Sequence, residues 1–80
     1  MDNIAQYDDA FVTLLQVDQD SLAKLKYQDI PTWDSIGHMA LITTLEEKFE
    51  IELDIDDIID FSSYEHGKSI LSKYGIQVKS

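Results

Sequence analysis

The chain has 80 residues, with Lys plus Arg numbering 6 against 16 Asp plus Glu, for a formal charge of −10. That length suits one small domain, and an apolar content of 44% supplies a modest core, which excludes outright disorder on composition. All six cations are lysines, Lys24, Lys26, Lys48, Lys68, Lys73 and Lys79, so there is no guanidinium fork to grip phosphate and no basic stripe to follow nucleic acid.

The same charge disfavours anionic membrane surfaces, and no apolar run approaches the roughly 20 residues that a bilayer span needs. Met1-Asp2-Asn3-Ile4 lacks the basic start and apolar stretch of a secretory signal, so a cytoplasmic monomer is expected. With no cysteine, disulfides, thiolate metal sites and a cysteine nucleophile are excluded, and any thiol chemistry requires a borrowed sulfur.

Ile4, Tyr7, Phe11 and Leu14 recur at steps of three and four behind Asp2 or Asn3, which predicts a first helix over about residues 3 to 15. From Val17 to Asp34 the period is lost. Asp18-Gln19-Asp20-Ser21 is turn-rich and Pro31 biases Ile30 away from helix, so a long loop is expected, pinned by Leu22, Leu25, Ile30 and Trp33. A structureless stretch of that length in a small domain is more often functional than idle.

A second helix is predicted from Asp34-Ser35, either of which can cap it, with Ile36, Met39, Ile42, Leu45 and Phe49 at helical spacing. Asp56 to Phe61 has room for a short third helix. Ser62-Ser63-Tyr64-Glu65 fits a capping box with Ser62 as cap, opening a fourth helix over about 63 to 74, and Gly75-Ile76 reads as its left-handed stop. Gly67 within that helix costs about 1 kcal/mol relative to Ala, so either close packing there offsets the loss or the helix is soft. The tail from Gln77 to Ser80 is expected to fray. The expected fold is all-α, a small four-helix bundle of three longer helices and one short one with a long first loop.

Chemistry concentrates at Trp33-Asp34-Ser35-Ile36-Gly37-His38-Met39. A serine in the first helical turn carries its hydroxyl beside unpaired N–H groups and the positive end of the helix dipole, where an attached phosphodiester would be stabilised. Taken alone, Asp-Ser before a helix is simply a cap.

Asp34-Ser35-Ile36 resembles the 4′-phosphopantetheine attachment motif of acyl carrier proteins, Asp-Ser followed by Leu or Ile. The likeness continues through Leu45-Glu46-Glu47-Lys48-Phe49-Glu50, an acidic helix end with a buried aromatic, and through Ser62-Ser63-Tyr64. Length, helix order, long first loop and acidic balance agree over nearly the whole chain. The resemblance implies a carrier and not an enzyme. A phosphopantetheinyl transferase, using coenzyme A and Mg²⁺, would join the arm to Ser35, with Asp34 as part of the motif. The arm's thiol would hold acyl groups as thioesters for fatty-acid, polyketide or other specialised biosynthesis. Gly37, His38 and Ala40 depart from the best-known fatty-acid carriers and look more like stand-alone carriers of specialised pathways. His38 is expected to be solvated or partner-facing, and Gly37 to let a transferase approach the backbone.

Glu46, Glu47, Glu50, Glu52, Asp54, Asp56, Asp57 and Asp60 face Lys48 alone, which by default is a solvated acidic face. The family likeness implies Glu46, Glu47, Asp56 and Asp57 as docking residues for acyl-loading and acyl-transferring enzymes with basic patches, with Ile36 and Met39 flanking the arm. Crowded like charge is also expected to destabilise the unmodified protein, so that a divalent cation or a basic partner stiffens it. Leu41, Ile42, Leu45, Phe49 and Ile58 are core candidates, some of which could shelter an acyl chain.

An EF-hand reading of Asp54, Asp56, Asp60 and Glu65 fails because Ile58 and Ile59 stand where an oxygen ligand and glycine are required. A serine hydrolase reading fails because Trp33 stands where the nucleophile elbow needs glycine and the bundle offers little enclosed pocket. The remaining alternative is an unmodified acidic helical interaction module in which Ser35 only caps.

Overall fold

The computed structural model describes residues 2–78. Its elements are all helical: α1 (Asn3–Leu15), a 3-10 helix (Gln19–Lys24), α2 (Ser35–Phe49), α3 (Ile55–Asp60) and α4 (Tyr64–Lys73). Among the described residues the one extended pairing is an isolated bridge between Lys26 and Ser63. It is made by Tyr27 N–H donating to the Ser62 carbonyl at 2.9 Å and Tyr64 N–H to the Leu25 carbonyl at 3.0 Å.

The core is built around Phe11, whose ring meets four other aromatics: Tyr7 at 5.0 Å between centroids, Tyr64 at 5.3 Å, Trp33 at 5.5 Å and Phe61 at 6.4 Å. These rings come from α1, from the long connection, from the end of α3 and from the start of α4, so one side chain joins distant parts of the chain. Edge-to-face pairs of this kind add about 0.5–1.5 kcal/mol beyond area burial. Tyr7 and Phe11 are fully buried on α1 as the period predicts, joined there by Ala10 and Leu15, while Ile4 and Leu14 are only partly covered.

The long connection is not structureless. Its turn-rich beginning winds into the 3-10 helix, whose Leu22 is buried, and Leu25 and Trp33 are buried beyond it. The period-3.6 test misses such a segment because 3-10 turns are tighter and short. The remainder closes on itself: Trp33 N–H donates to the Ile30 carbonyl and Gln28 N–H to the Trp33 carbonyl, both at 3.1 Å, and the Thr32 hydroxyl donates to the Leu15 carbonyl at the end of α1 at 2.7 Å.

Two other expectations are corrected. Ser63, not Ser62, caps α4, accepting from His66 N–H at 3.0 Å, because Ser62 gives its carbonyl to the bridge with Tyr27. The expected frayed tail is anchored at least to Val78, which is buried, with the Gln77 carbonyl accepting from the Asn3 side chain at 3.0 Å; Lys79 and Ser80 lie outside the described residues. Gly75 does form the left-handed stop, at φ 83°, with Ile76 N–H donating to the Leu71 carbonyl.

Gly67 is explained by close packing. A Cβ there would collide with Phe61 Cζ and with the Tyr7 hydroxyl, which is itself held by donation to the Tyr64 carbonyl at 2.6 Å. Gly67→Ala is therefore expected to destabilise the protein by about 1–3 kcal/mol, despite the roughly 1 kcal/mol that alanine gains in helix propensity. Urea unfolding of the two proteins checks the sign.

Candidate functional site at the start of helix α2

Trp33 is the last buried residue of the connection, and the chain emerges from it directly into Asp34 and Ser35. Asp34 is extended at φ −102° and its carboxylate accepts from Gly37 N–H at 2.8 Å, while its carbonyl accepts from His38 N–H at 2.7 Å. Asp34 is thus the cap, and Ser35 is the first helical residue, exposed, with its hydroxyl in no hydrogen bond among the described residues. Gly37 is required by the fold itself: a Cβ would run into the Thr32 carbonyl, so the approach its bareness permits is that of the chain's own backbone.

The first turn of α2 does not join the core. Ile36 is 82% exposed and Met39 is 50% exposed, and on α3 Ile59 at 75% and Ile55 at 73% match them. Leu41, Ile42 and Leu45 are buried as expected, with Phe49 and Ile58 partly so. A half-open groove of about 310 Å³ lies between the two helices beside Ser35, lined by Tyr27, His38, Met39, Ile58, Ile59 and Phe61, with Ser62 at its edge. Ile55 and Ile59 were missed as surface residues. The signal was available, since a six-residue helix between carboxylates cannot bury Ile55, Ile58 and Ile59 together.

Of the two placements expected for His38, solvated or partner-facing, the structure overturns the first. Its Nδ1 accepts from the Trp33 indole N–H at 3.0 Å, and its Nε2 lies 2.8 Å from the Ile58 carbonyl. Its ring is tilted 21° from the Trp33 ring and is edged by Tyr27 and Phe61 at 5.2 and 6.0 Å between centroids. No spacing rule reveals this, because the partner of a buried indole is a matter of tertiary placement.

The acidic residues divide. Asp57, grouped with the docking carboxylates on the family likeness, instead turns inward. Its two oxygens accept from the Lys73 ammonium and from the Tyr74 hydroxyl, each at 2.5 Å, and tie α3 to the end of α4. The Tyr74 hydroxyl also accepts from Asp54 N–H at 2.9 Å. Glu46 is partly committed, accepting from Leu53 N–H at 2.8 Å in the turn after α2. Lys48 pairs with Asp9 on α1 at 3.2 Å, leaving the acidic face without that cation. Glu47 and Asp56 are exposed and unpaired among the described residues, as the docking expectation needs.

Among the described residues no group of three or more His, Cys, Asp or Glu side chains converges to hold a metal ion, and no helix is long and apolar enough to cross a membrane. The chain matches no family model, no curated protein and no solved structure in comparisons with known proteins.

The Lys73 and Tyr74 hydrogen bonds hold the Asp57 carboxyl below its ordinary value of 3.8. A carboxylate lowered in the folded state stabilises it above the unfolded value and loses that contribution as pH falls through the folded one. Wild type is therefore expected to exceed Asp57→Asn in urea midpoint by a constant margin above about pH 5, and the margin to shrink as pH drops below about 4. Paired urea titrations across that range test it.

Proposed function

We propose that the protein is a carrier whose Ser35 bears a 4′-phosphopantetheine arm, presenting acyl groups as thioesters to partner enzymes from a small helical bundle. The observation that carries this reading is a division of labour at the start of α2. Asp34 does the capping, so the adjacent serine hydroxyl is unemployed, exposed and set at the positive end of a 15-residue helix.

The residues present fit such an arm. The opening N–H groups of α2 and its dipole favour a phosphodiester on Ser35 Oγ. The groove alongside is walled by Met39, Ile58, Ile59 and Phe61, which suit an aliphatic chain better than a charged one. Attachment would transfer phosphopantetheine from coenzyme A, forming the Ser35 ester and releasing the nucleotide half, with Mg²⁺ supplied at the transferase. When bound, the arm supplies the thiol that the cysteine-free chain lacks. The protein's own part is to hold Ser35 outward, exclude water along one side of the arm and offer exposed Ile36, Ile55 and Ile59 together with the exposed carboxylates Glu47 and Asp56 for docking. A tethered cargo has a high effective concentration at a docked enzyme, so a weak, brief complex suffices.

Incubation with coenzyme A, Mg²⁺ and a broad-specificity phosphopantetheinyl transferase is expected to add one arm by intact mass, and Ser35→Ala to abolish the addition. An unmodified wild type would favour the acidic interaction module, in which Ser35 is idle.

For docking, Glu47→Lys combined with Asp56→Lys is expected to slow arm attachment several-fold, and added salt to slow the wild type, because screening acts over about 8 Å at physiological ionic strength. Initial rates that ignore both charge reversal and salt remove electrostatic steering from the account.

A further inference from the structure

His38 is the one imidazole that faces the groove, and both of its nitrogens are spoken for. The indole of Trp33 can only donate, so Nδ1 at 3.0 Å must accept; the carbonyl of Ile58 can only accept, so Nε2 at 2.8 Å must carry the proton. This pair of bonds admits a single form of the ring, the neutral Nε2–H tautomer. A second proton on Nδ1 would set N–H against N–H and leave the buried indole without its acceptor, which costs more than the bond itself is worth.

What His38 holds is weakly held otherwise. Helix α3 has six residues, too few to persist alone, and two of its isoleucines face outward. Its other side-chain ties run to α4, from Asp57 to Lys73 and Tyr74 and from Asp60 to His66. We propose that His38 is a positioning residue, a neutral latch that pins α3 to the serine end of α2 through Trp33 and Ile58, and that protonation of its Nδ1 releases α3 and opens the groove beside Ser35. The consequence for cargo rests on the carrier reading; the latch does not, and it is tested on the full chain without an arm.

No carboxylate or ammonium bonds to the His38 ring among the described residues. From the long connection it meets the Tyr27 ring; on its own helix the Asp34 carboxylate is bound to Gly37 N–H; on α3 the Asp57 carboxylate points to Lys73 and Tyr74 and the Asp60 carboxylate to His66 at 2.8 Å; and Phe61 and Trp33 complete the shell. Because its hydrogen bonds to Lys73 and Tyr74 hold the Asp57 carboxyl below the usual carboxylate range, that tie to α4 outlasts the uptake of a proton by an imidazole.

The test is nuclear magnetic resonance on the unmodified protein. Imidazole ¹⁵N shifts at about pH 8 should report the Nε2–H tautomer. As His38 protonates, hydrogen-exchange protection of Ile58 N–H, which donates to the Asp54 carbonyl at 3.0 Å, should fall relative to the intrinsic rate at each pH. A fall of at least about fivefold supports the latch, and a smaller one overturns it. An Nδ1–H tautomer also overturns it, whatever any variant does. His66→Gln, which removes the other imidazole, should leave the response in place. His38→Gln keeps a donor and an acceptor without a titrating proton and should show no response, and a response retained there places the acid sensitivity elsewhere and overturns the proposal.

Discussion

A tryptophan buried beside the exposed end of a helix must find an acceptor for its indole N–H, and much of this molecule follows from how that need is met. Trp33 packs edge-on against Phe11 at 5.5 Å, which roots the connection in the α1 core, and donates to His38, which roots the first turn of α2. Asp34 and Ser35 are therefore delivered at a fixed place between two anchored residues. Burial ends at Trp33, two residues before the exposed serine, and the serine hydroxyl is unused because Asp34 does the capping.

Close approach completes the site. The Thr32 carbonyl occupies the space that a side chain at position 37 would need, and Phe61 with Tyr7 occupies the space at position 67. Both glycines stand in helices, where they cost propensity, and in both places another part of the chain fills the missing volume. By contrast α3 is tied to α2 by the His38–Ile58 contact and to α4 by Asp57 with Lys73 and Tyr74 and by Asp60 with His66, while Ile58 and the following Phe61 pack on the core and Ile55 and Ile59 stay outside.

The strong negative charge is also distributed with consequences. Asp9 takes Lys48, Asp57 takes Lys73, and Glu65 takes Lys68 at 3.4 Å. These pairs use cations to join or decorate helices and leave Glu47 on α2 and Asp56 on α3 unpaired among the described residues. Surface pairs add little to stability, so their arrangement matters more for where the residual field points than for how firmly the fold stands.

By itself the sequence determined the helical character of the chain, the extents of α1 and α2 to within a residue, the left-handed stop at Gly75 and the prominence of Asp34-Ser35, because periodicity, capping and turn chemistry are local and act within four or five residues. It did not reveal the 3-10 helix, the shift of the α4 cap from Ser62 to Ser63, or the non-glycine residues Gln16 and Glu50 that end α1 and α2 at φ 56°. Nor could it divide the carboxylates into those turned inward and those left free, or place His38 between Trp33 and Ile58. Each of these depends on which distant backbone or side chain arrives at a given point, and that is decided only when the aromatic core closes and every buried donor must find its acceptor.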